Sequence, residues 1–137
     1  MMKSVTYMST SRIAGDEAAT TAAISQLLEG ARKFNSSSGI SGVLLFTAHT
    51  FLQVLEGPAA EIAGLFERIQ RDKRHTNVLV LDYRSIETRD FADWSMAYAT
   101  LDEPPHFLTQ ARSHTPDHDK LIRDLQQLLL RNDSLSG

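Results

Sequence analysis

A carboxamide stands in the middle of an apolar strand in this chain, and its chemistry is to accept and donate hydrogen bonds at once. In Phe51-Leu52-Gln53-Val54-Leu55-Glu56-Gly57-Pro58, a two-residue period places Phe51, Gln53 and Leu55 on one face, so the Gln53 side chain points where hydrocarbon is expected. An amide carries two donors and an acceptor with two lone pairs, and burying it unpaired costs about 1–3 kcal/mol. The position therefore asks for a polar ligand or a buried network. Other polar side chains fall at suggestive places: Tyr7 in a strand of small and polar neighbours, Asn35 at a helix end, and Asp72, Arg74 and His75 just after a second helix. Singly, each has an ordinary explanation. Tyr7 reads as a half-buried core tyrosine, Gln53 as an edge amide bonded to backbone, Asn35 as a helix terminator and the acidic and basic group as a solvated helix end. His114 and His118 are four residues apart, but Pro116 falls between them and a third ligand is lacking, so no metal site is expected. Gly39 and Gly42 read as turn and strand-packing glycines, because no Gly-rich strand-to-helix loop is present.

The elements that must position these groups follow from periodicity. Lys3 to Ser9 reads as a strand, and Asp16 as the N-cap of a helix from about Glu17 to Phe34, with Ala23, Ile24, Leu27, Leu28 and Ala31 on its apolar face and Asn35 as its stop. Ser36 to Gly39 then forms a turn. Ile40 to Thr47 and Thr50 to Glu56 read as an antiparallel hairpin ended by Gly57-Pro58. A helix from about Ala59 to Arg71 buries Ile62, Leu65, Phe66 and Ile69, and Asn77 to Tyr83 and Trp94 to Thr100 are the last strands, joined by the polar segment Arg84 to Asp93. This order predicts an α+β sandwich of ferredoxin-like βαββαββ type, with a five-stranded mixed sheet and two helices on one face. Val43 to Phe46 and Val78 to Leu81 are apolar on consecutive residues and should be covered on both faces. The second cover is expected from C-terminal helices: a short piece after Pro104-Pro105, then one capped by Thr115-Pro116 with Leu121, Ile122, Leu125, Leu128 and Leu129 in a stripe. That helix belongs on the opposite sheet face or against another subunit, and the tail Asn132 to Gly137 is expected to fray.

In this topology the first strand lies beside the second strand of the hairpin. A cleft between the two helices then opens above Tyr7 and Gln53, with Leu27 and Ile69 as walls suited to a flat aromatic ligand whose polar edge meets Asn35 and Gln53.

Composition narrows the function. At 137 residues, 42% hydrophobic and 23% charged, the chain suits one soluble domain with a sizeable core. A net charge of -3 with both signs mixed throughout provides no basic field for nucleic acid. No apolar stretch reaches the roughly 18–20 residues needed to cross a bilayer and no secretory signal is legible, so a cytoplasmic location is expected. The absence of cysteine excludes disulfides, thiolate metal sites, cysteine nucleophiles and any photocycle that stores light as a cysteinyl adduct.

The chain resembles the BLUF family, blue-light sensors that use flavin. The resemblance runs from Val5 to about Tyr98 and rests on five segments in order: Tyr7-Met8-Ser9; Asn35 followed by Gly39-Ile40-Ser41-Gly42-Val43-Leu44; Phe51 to Pro58; Ile69-Gln70-Arg71-Asp72-Lys73-Arg74-His75; and Arg89-Asp90-Phe91-Ala92-Asp93-Trp94-Ser95-Met96. It implies a flavin-binding domain over residues 1–101 and a C-terminal helical extension over residues 102–137. It implies non-covalent FAD, with FMN as the alternative, slotted between the two helices. Asn35 matches the amide at the flavin pyrimidine edge, and Gln53 the one between Tyr7 and the N5/O4 edge. Arg68, Asp72, Arg74 and His75 match positions near the pyrimidine edge or ribityl chain, and Leu27 and Ile69 the apolar residues above and below the ring. Phe34 precedes Asn35 where several members have a hydrogen-bonding side chain, so one contact is missing or replaced by packing.

The function so implied is a photoreceptor without turnover. Tyr7 reduces the excited flavin through Gln53, and a rotated or tautomerised Gln53 leaves a reversible red-shifted signalling state. Trp94 and Met96, expected on one strand face, couple that change to the last strand and the C-terminal helices. No output domain follows in this sequence, so the resemblance is to the short members that signal through a downstream partner protein or a change of homo-oligomeric assembly. The rivals are a flavin-dependent oxidoreductase and a ligand-free ferredoxin-like interaction module.

Overall fold

The computed structural model describes residues 1–13, 15, 17–47, 49–101 and 117–131. Its elements are β1 (Met2–Ser11), α1 (Glu17–Ser38), β2 (Ser41–Thr47), β3 (Thr50–Pro58), α2 (Ala59–Arg71), β4 (His75–Ile86), β5 (Ala97–Leu101) and α3 (His118–Arg131). The strands form one sheet in the order β4-β1-β3-β2-β5. β1 runs antiparallel to both neighbours, β2 and β3 form the hairpin, and β5 lies parallel to β2, which makes the sheet mixed. This is the ferredoxin-like arrangement read from the sequence.

Alternation along the strands builds two cores. Val5, Tyr7, Leu44, Phe51 and Leu55 point to the face covered by Ile24 and Leu28 of α1 and Ile62 of α2. Met8, Val43, Leu45, Leu52 and Val54 point to the other, where Leu121, Ile122, Leu125 and Leu129 of α3 close over them. The two-sided burial expected of β2 is met in this way, and the C-terminal helix lies opposite the first two. Among the described residues no helix is long and apolar enough to cross a membrane.

Several boundaries differ from expectation. α1 does not stop at Phe34 but runs through Asn35 and the three serines to Ser38. Its terminator is Gly39, at φ 72°, and the Ile40 N–H returns to the Asn35 carbonyl at 2.9 Å, the six-to-one bond of a glycine-ended helix. β4 is longer than read and lies at the sheet edge, so Val78 to Leu81 is not covered on both faces: Val80 is 43% exposed. β5 begins only at Ala97, which removes Trp94 and Met96 from the strand expected to carry both. α3 runs from His118. Asp117 caps it, its Oδ1 accepting from the Asp119 N–H at 3.1 Å and the Lys120 N–H at 3.3 Å. The expected caps Asp16 and Thr115-Pro116, the piece after Pro105, His114 and the tail from Asn132 lie outside the described residues.

Candidate functional site

Register brings two of the expected site residues together, since Tyr7 on β1 stands directly opposite Gln53 on β3. The Tyr7 hydroxyl donates to Gln53 Oε1, and Gln53 Nε2 donates to the Met96 sulfur at 3.6 Å. The amide is thus held as expected of a buried carboxamide, with its acceptor and a donor both engaged. Tyr7 is almost fully enclosed, and burial, with a smaller contribution from the negative charge of Asp72, pushes its phenol well above the usual range. Phe66 of α2 lies tilted at 5.5 Å from the Tyr7 ring, and His75 meets the ring edge-on at 6.1 Å.

His75 is fixed at both nitrogens. A carbonyl can only accept, so Nε2 carries the hydrogen given to the Ile69 carbonyl at 2.6 Å, and in the neutral ring Nδ1 accepts from the Ser9 hydroxyl at 2.7 Å. Asp72 caps α2, its N–H on the Ile69 carbonyl at 3.1 Å. Its carboxylate takes Arg74 as a fork: Nε lies at 2.9 Å and 3.1 Å from the two oxygens, and Nη2 also bonds Oδ2. That side-chain hydrogen bond holds the Asp72 carboxyl below its ordinary value and raises Arg74.

α1 supplies the other side. Asn35 is buried and gives its Nδ2 hydrogen to the Ser95 carbonyl at 2.7 Å, while Arg32 Nε donates to the Met96 carbonyl at 3.0 Å. The guanidinium of Arg68, on α2, lies 4.2 Å from the centre of the Phe34 ring on α1, so a cation and an aromatic face bridge the two helices.

Between α1 and α2 these groups surround a cleft of about 310 Å³. Leu27 and Ala31 of α1 and Leu65 and Ile69 of α2 are its walls, and Tyr7, Leu44, Phe51, Gln53 and Leu55 line it from the sheet. Asn35, Arg68, Asp72, Arg74, His75 and Met96 line it as well. Trp94 is the exception among the expected residues. It packs at 6.4 Å from Phe91 against the opposite core, so Trp94 and Met96 do not share a face; the backbone between them turns before β5 begins. Gln26 and Gly30 also line the cleft and were missed, although Gly30 falls three after Leu27 and four after Gln26, the spacing of one helix face. Arg32, which holds the segment leading to Met96, had no sequence signal that separates it from a surface charge, and Glu56, although on the face of Leu52 and Val54, lay too near Gly57-Pro58 to stand out from the end of a strand.

Apolar walls, amides and a phenol at the sheet, and guanidinium, carboxylate and imidazole groups around them suit a flat heteroaromatic with an amide-like edge and a polar chain. A family model described as BLUF, sensors of blue-light using FAD, matches residues 2–97. The photoactivated adenylate cyclase subunit beta of Euglena longa is 33% identical over 78 residues, covering 56% of this chain and 9% of that protein, so the chain spans less than a tenth of such a relative. Among solved structures, BlrB, a BLUF protein in its dark state, superposes with a TM-score of 0.68 at 33% identity over 88% of this chain and 83% of that one. BlrP1 of Klebsiella pneumoniae, with FMN and cyclic diGMP, superposes with a TM-score of 0.68 at 29% identity over 97% of this chain and 35% of that one.

Proposed function

The chain belongs to the BLUF family, sensors of blue light that use FAD, and from that membership we propose a photocycle carried by Tyr7 and Gln53 that turns over no substrate. The observation that supports it most is the unbroken relay from phenol to amide to thioether, Tyr7 to Gln53 to Met96, along one side of the cleft. Leu27 and Ile69 would hold the faces of the ring, Asn35 and Gln53 its polar edge, and Arg68, Asp72, Arg74 and His75 the pyrimidine edge or the chain beyond it. FAD is the flavin we assign, with FMN, which accompanies the BlrP1 relative, as the alternative.

When bound, the flavin supplies absorption of blue light and, once excited, an acceptor for an electron and a proton. Tyr7 is a donor of both, because its enclosed phenol keeps its hydrogen and directs it at Gln53 Oε1. With that hydrogen withdrawn, the amide is released from its resting arrangement and exchanges the roles of its two ends by rotation or tautomerisation. A glutamine can do this because donor and acceptor sit on one rotatable group, whereas an ionised carboxylate only accepts. Met96 feels the change first, since its sulfur loses or regains the amide hydrogen. From Met96 the change passes into β5, and Trp94 and α3 relay it on the opposite sheet face. The output would be contact with a downstream partner protein or a change in homo-oligomeric assembly in the cytoplasm, with residues 1–101 as sensor and 102–137 as extension. Any such shift is limited to the free-energy difference the amide makes between two states.

The test is an absorption spectrum of the purified protein, dark and illuminated. A yellow protein with a small, reversible red shift and no added substrate is expected. Gln53→Leu and Tyr7→Phe should stay yellow and lose the shift. A colourless protein, or bleaching that requires an added reductant, overturns the reading.

A further inference from the structure

Glu56 is an acidic side chain with no exposed surface, on the face of β3 opposite to Gln53 and three residues beyond it; burial pushes its carboxyl up, and the hydrogen bonds it accepts pull it back. A carboxylate cut off from water must be met by donors, and three converge on it. Oε2 accepts from the Asp90 N–H at 2.6 Å, and Oε1 from the Phe91 N–H at 2.9 Å and the Ser41 hydroxyl at 3.1 Å. Arg89 closes the group, giving Nη1 to Ser41 Oγ at 3.0 Å and Nη2 to the Gly39 carbonyl at 2.6 Å. Two successive backbone N–H groups on one carboxylate fix the course of the chain where they occur. Here they fix the start of the segment that ends, five residues after Phe91, at Met96.

The far end of that segment is held by α1 and β2. Gly42 donates its N–H to the Trp94 carbonyl at 3.1 Å, Asn35 to that of Ser95 at 2.7 Å and Arg32 to that of Met96 at 3.0 Å. Residues 90–96 therefore form a strap stretched between a buried carboxylate and the cleft, and its last side chain meets the Gln53 amide. Nothing in the relay itself requires a charge on the other face of the sheet.

We propose that Glu56 is a positioning residue of the switch: by gripping the Asp90 and Phe91 amides it keeps the strap in register, so that Met96 meets Gln53 and draws the amide back to its resting arrangement. This rests on the photocycle proposed above. Replacing the carboxylate by an amide turns an NH2 group toward at least one of the N–H donors, which slackens the strap without removing any group that lines the cleft.

The experiment uses the flavin-loaded protein and compares it with Glu56→Gln and Ser41→Ala. It reads the amplitude of the red shift, the time of its dark recovery and the hydrogen exchange of the Asp90 and Phe91 amides. Hydrogen bonds to charged groups are strong enough that their loss should slow recovery by about threefold or more. Glu56→Gln is expected to keep the amplitude, slow recovery to that extent and speed exchange of both amides; Ser41→Ala should act in the same direction, less strongly. The unsubstituted protein, brought by urea to the stability of the variant, should recover at its ordinary rate. Recovery unchanged in both variants, or slowed equally by urea, overturns the proposal. If Glu56→Gln does not fold, Ser41→Ala decides alone. Absence of any red shift in the unsubstituted protein instead refutes the photocycle, which keeps the two failures apart.

Discussion

Tyr7 can serve as a proton donor only if it keeps its proton, and its surroundings see to that. Enclosure and the nearby Asp72 charge lift its phenol well above the ordinary value of about 10. The red-shift amplitude is therefore expected to stay level from neutrality to about pH 10, measured as dark-minus-light spectra; a loss with an alkaline midpoint that Tyr7 sets would contradict the geometry. Asp72 behaves oppositely. Arg74 depresses its carboxyl in the folded protein, so on acidification the unfolded chain takes up a proton first. Its contribution to stability is complete above the unfolded value of about 3.9 and disappears as pH falls through the folded one. The acid limb of Tm against pH should be shallower in Asp72→Asn, with a modest difference because the Arg74 side chain is nearly half exposed. At this scale the sequence was informative where a type clashed with its pattern. Gln53 was legible because an amide interrupts an apolar face, and Tyr7 because strand order puts it opposite. Glu56 was not, since a charge just before Gly57-Pro58 looks like the end of an edge strand, and only the long-range course of residues 89–91 buries it.

Among the elements, the hairpin bears the tightest constraint. A Cβ on Gly42 would lie 2.1 Å from the Val54 carbonyl oxygen, so β3 can reach its place beside β2 only past a glycine. Gly42→Ala is expected to cost about 1–3 kcal/mol or more, as a fall in the urea midpoint, because backbone rather than a flexible side chain must yield. The boundary errors have a common origin. Trp94, Met96 and Tyr98 alternate as a strand would, but alternation cannot tell a paired strand from an extended segment that turns, and the ladder with β2 starts only at Ala97. Three serines before Gly39 resemble a turn, yet the helix continues until glycine offers a left-handed φ. β4 read as a covered strand because composition does not reveal which strand ends at an edge.

For the molecule as a whole, the sheet is a partition between the cleft and a core that never touches it. Met8, next to Tyr7, and Leu45, next to Leu44, belong to the far side with α3. Leu125→Ala should destabilise the protein by about 2–5 kcal/mol, measured by urea unfolding, while the flavin spectrum keeps its shift; loss of the shift in a folded variant would mean the two cores are not separable. The second core is legible in the sequence, since the unbroken apolar run of β2 demands a partner on each side and an amphipathic C-terminal stripe is available to meet it. The Arg68–Phe34 bridge has a consequence for traffic. A solvent-facing cation resting on an aromatic ring yields for about 0.5–1 kcal/mol, a factor of roughly two to five in rate. A flavin in that cleft would not be imprisoned by so light a door; its dwell time would be governed by the grip of the slot itself.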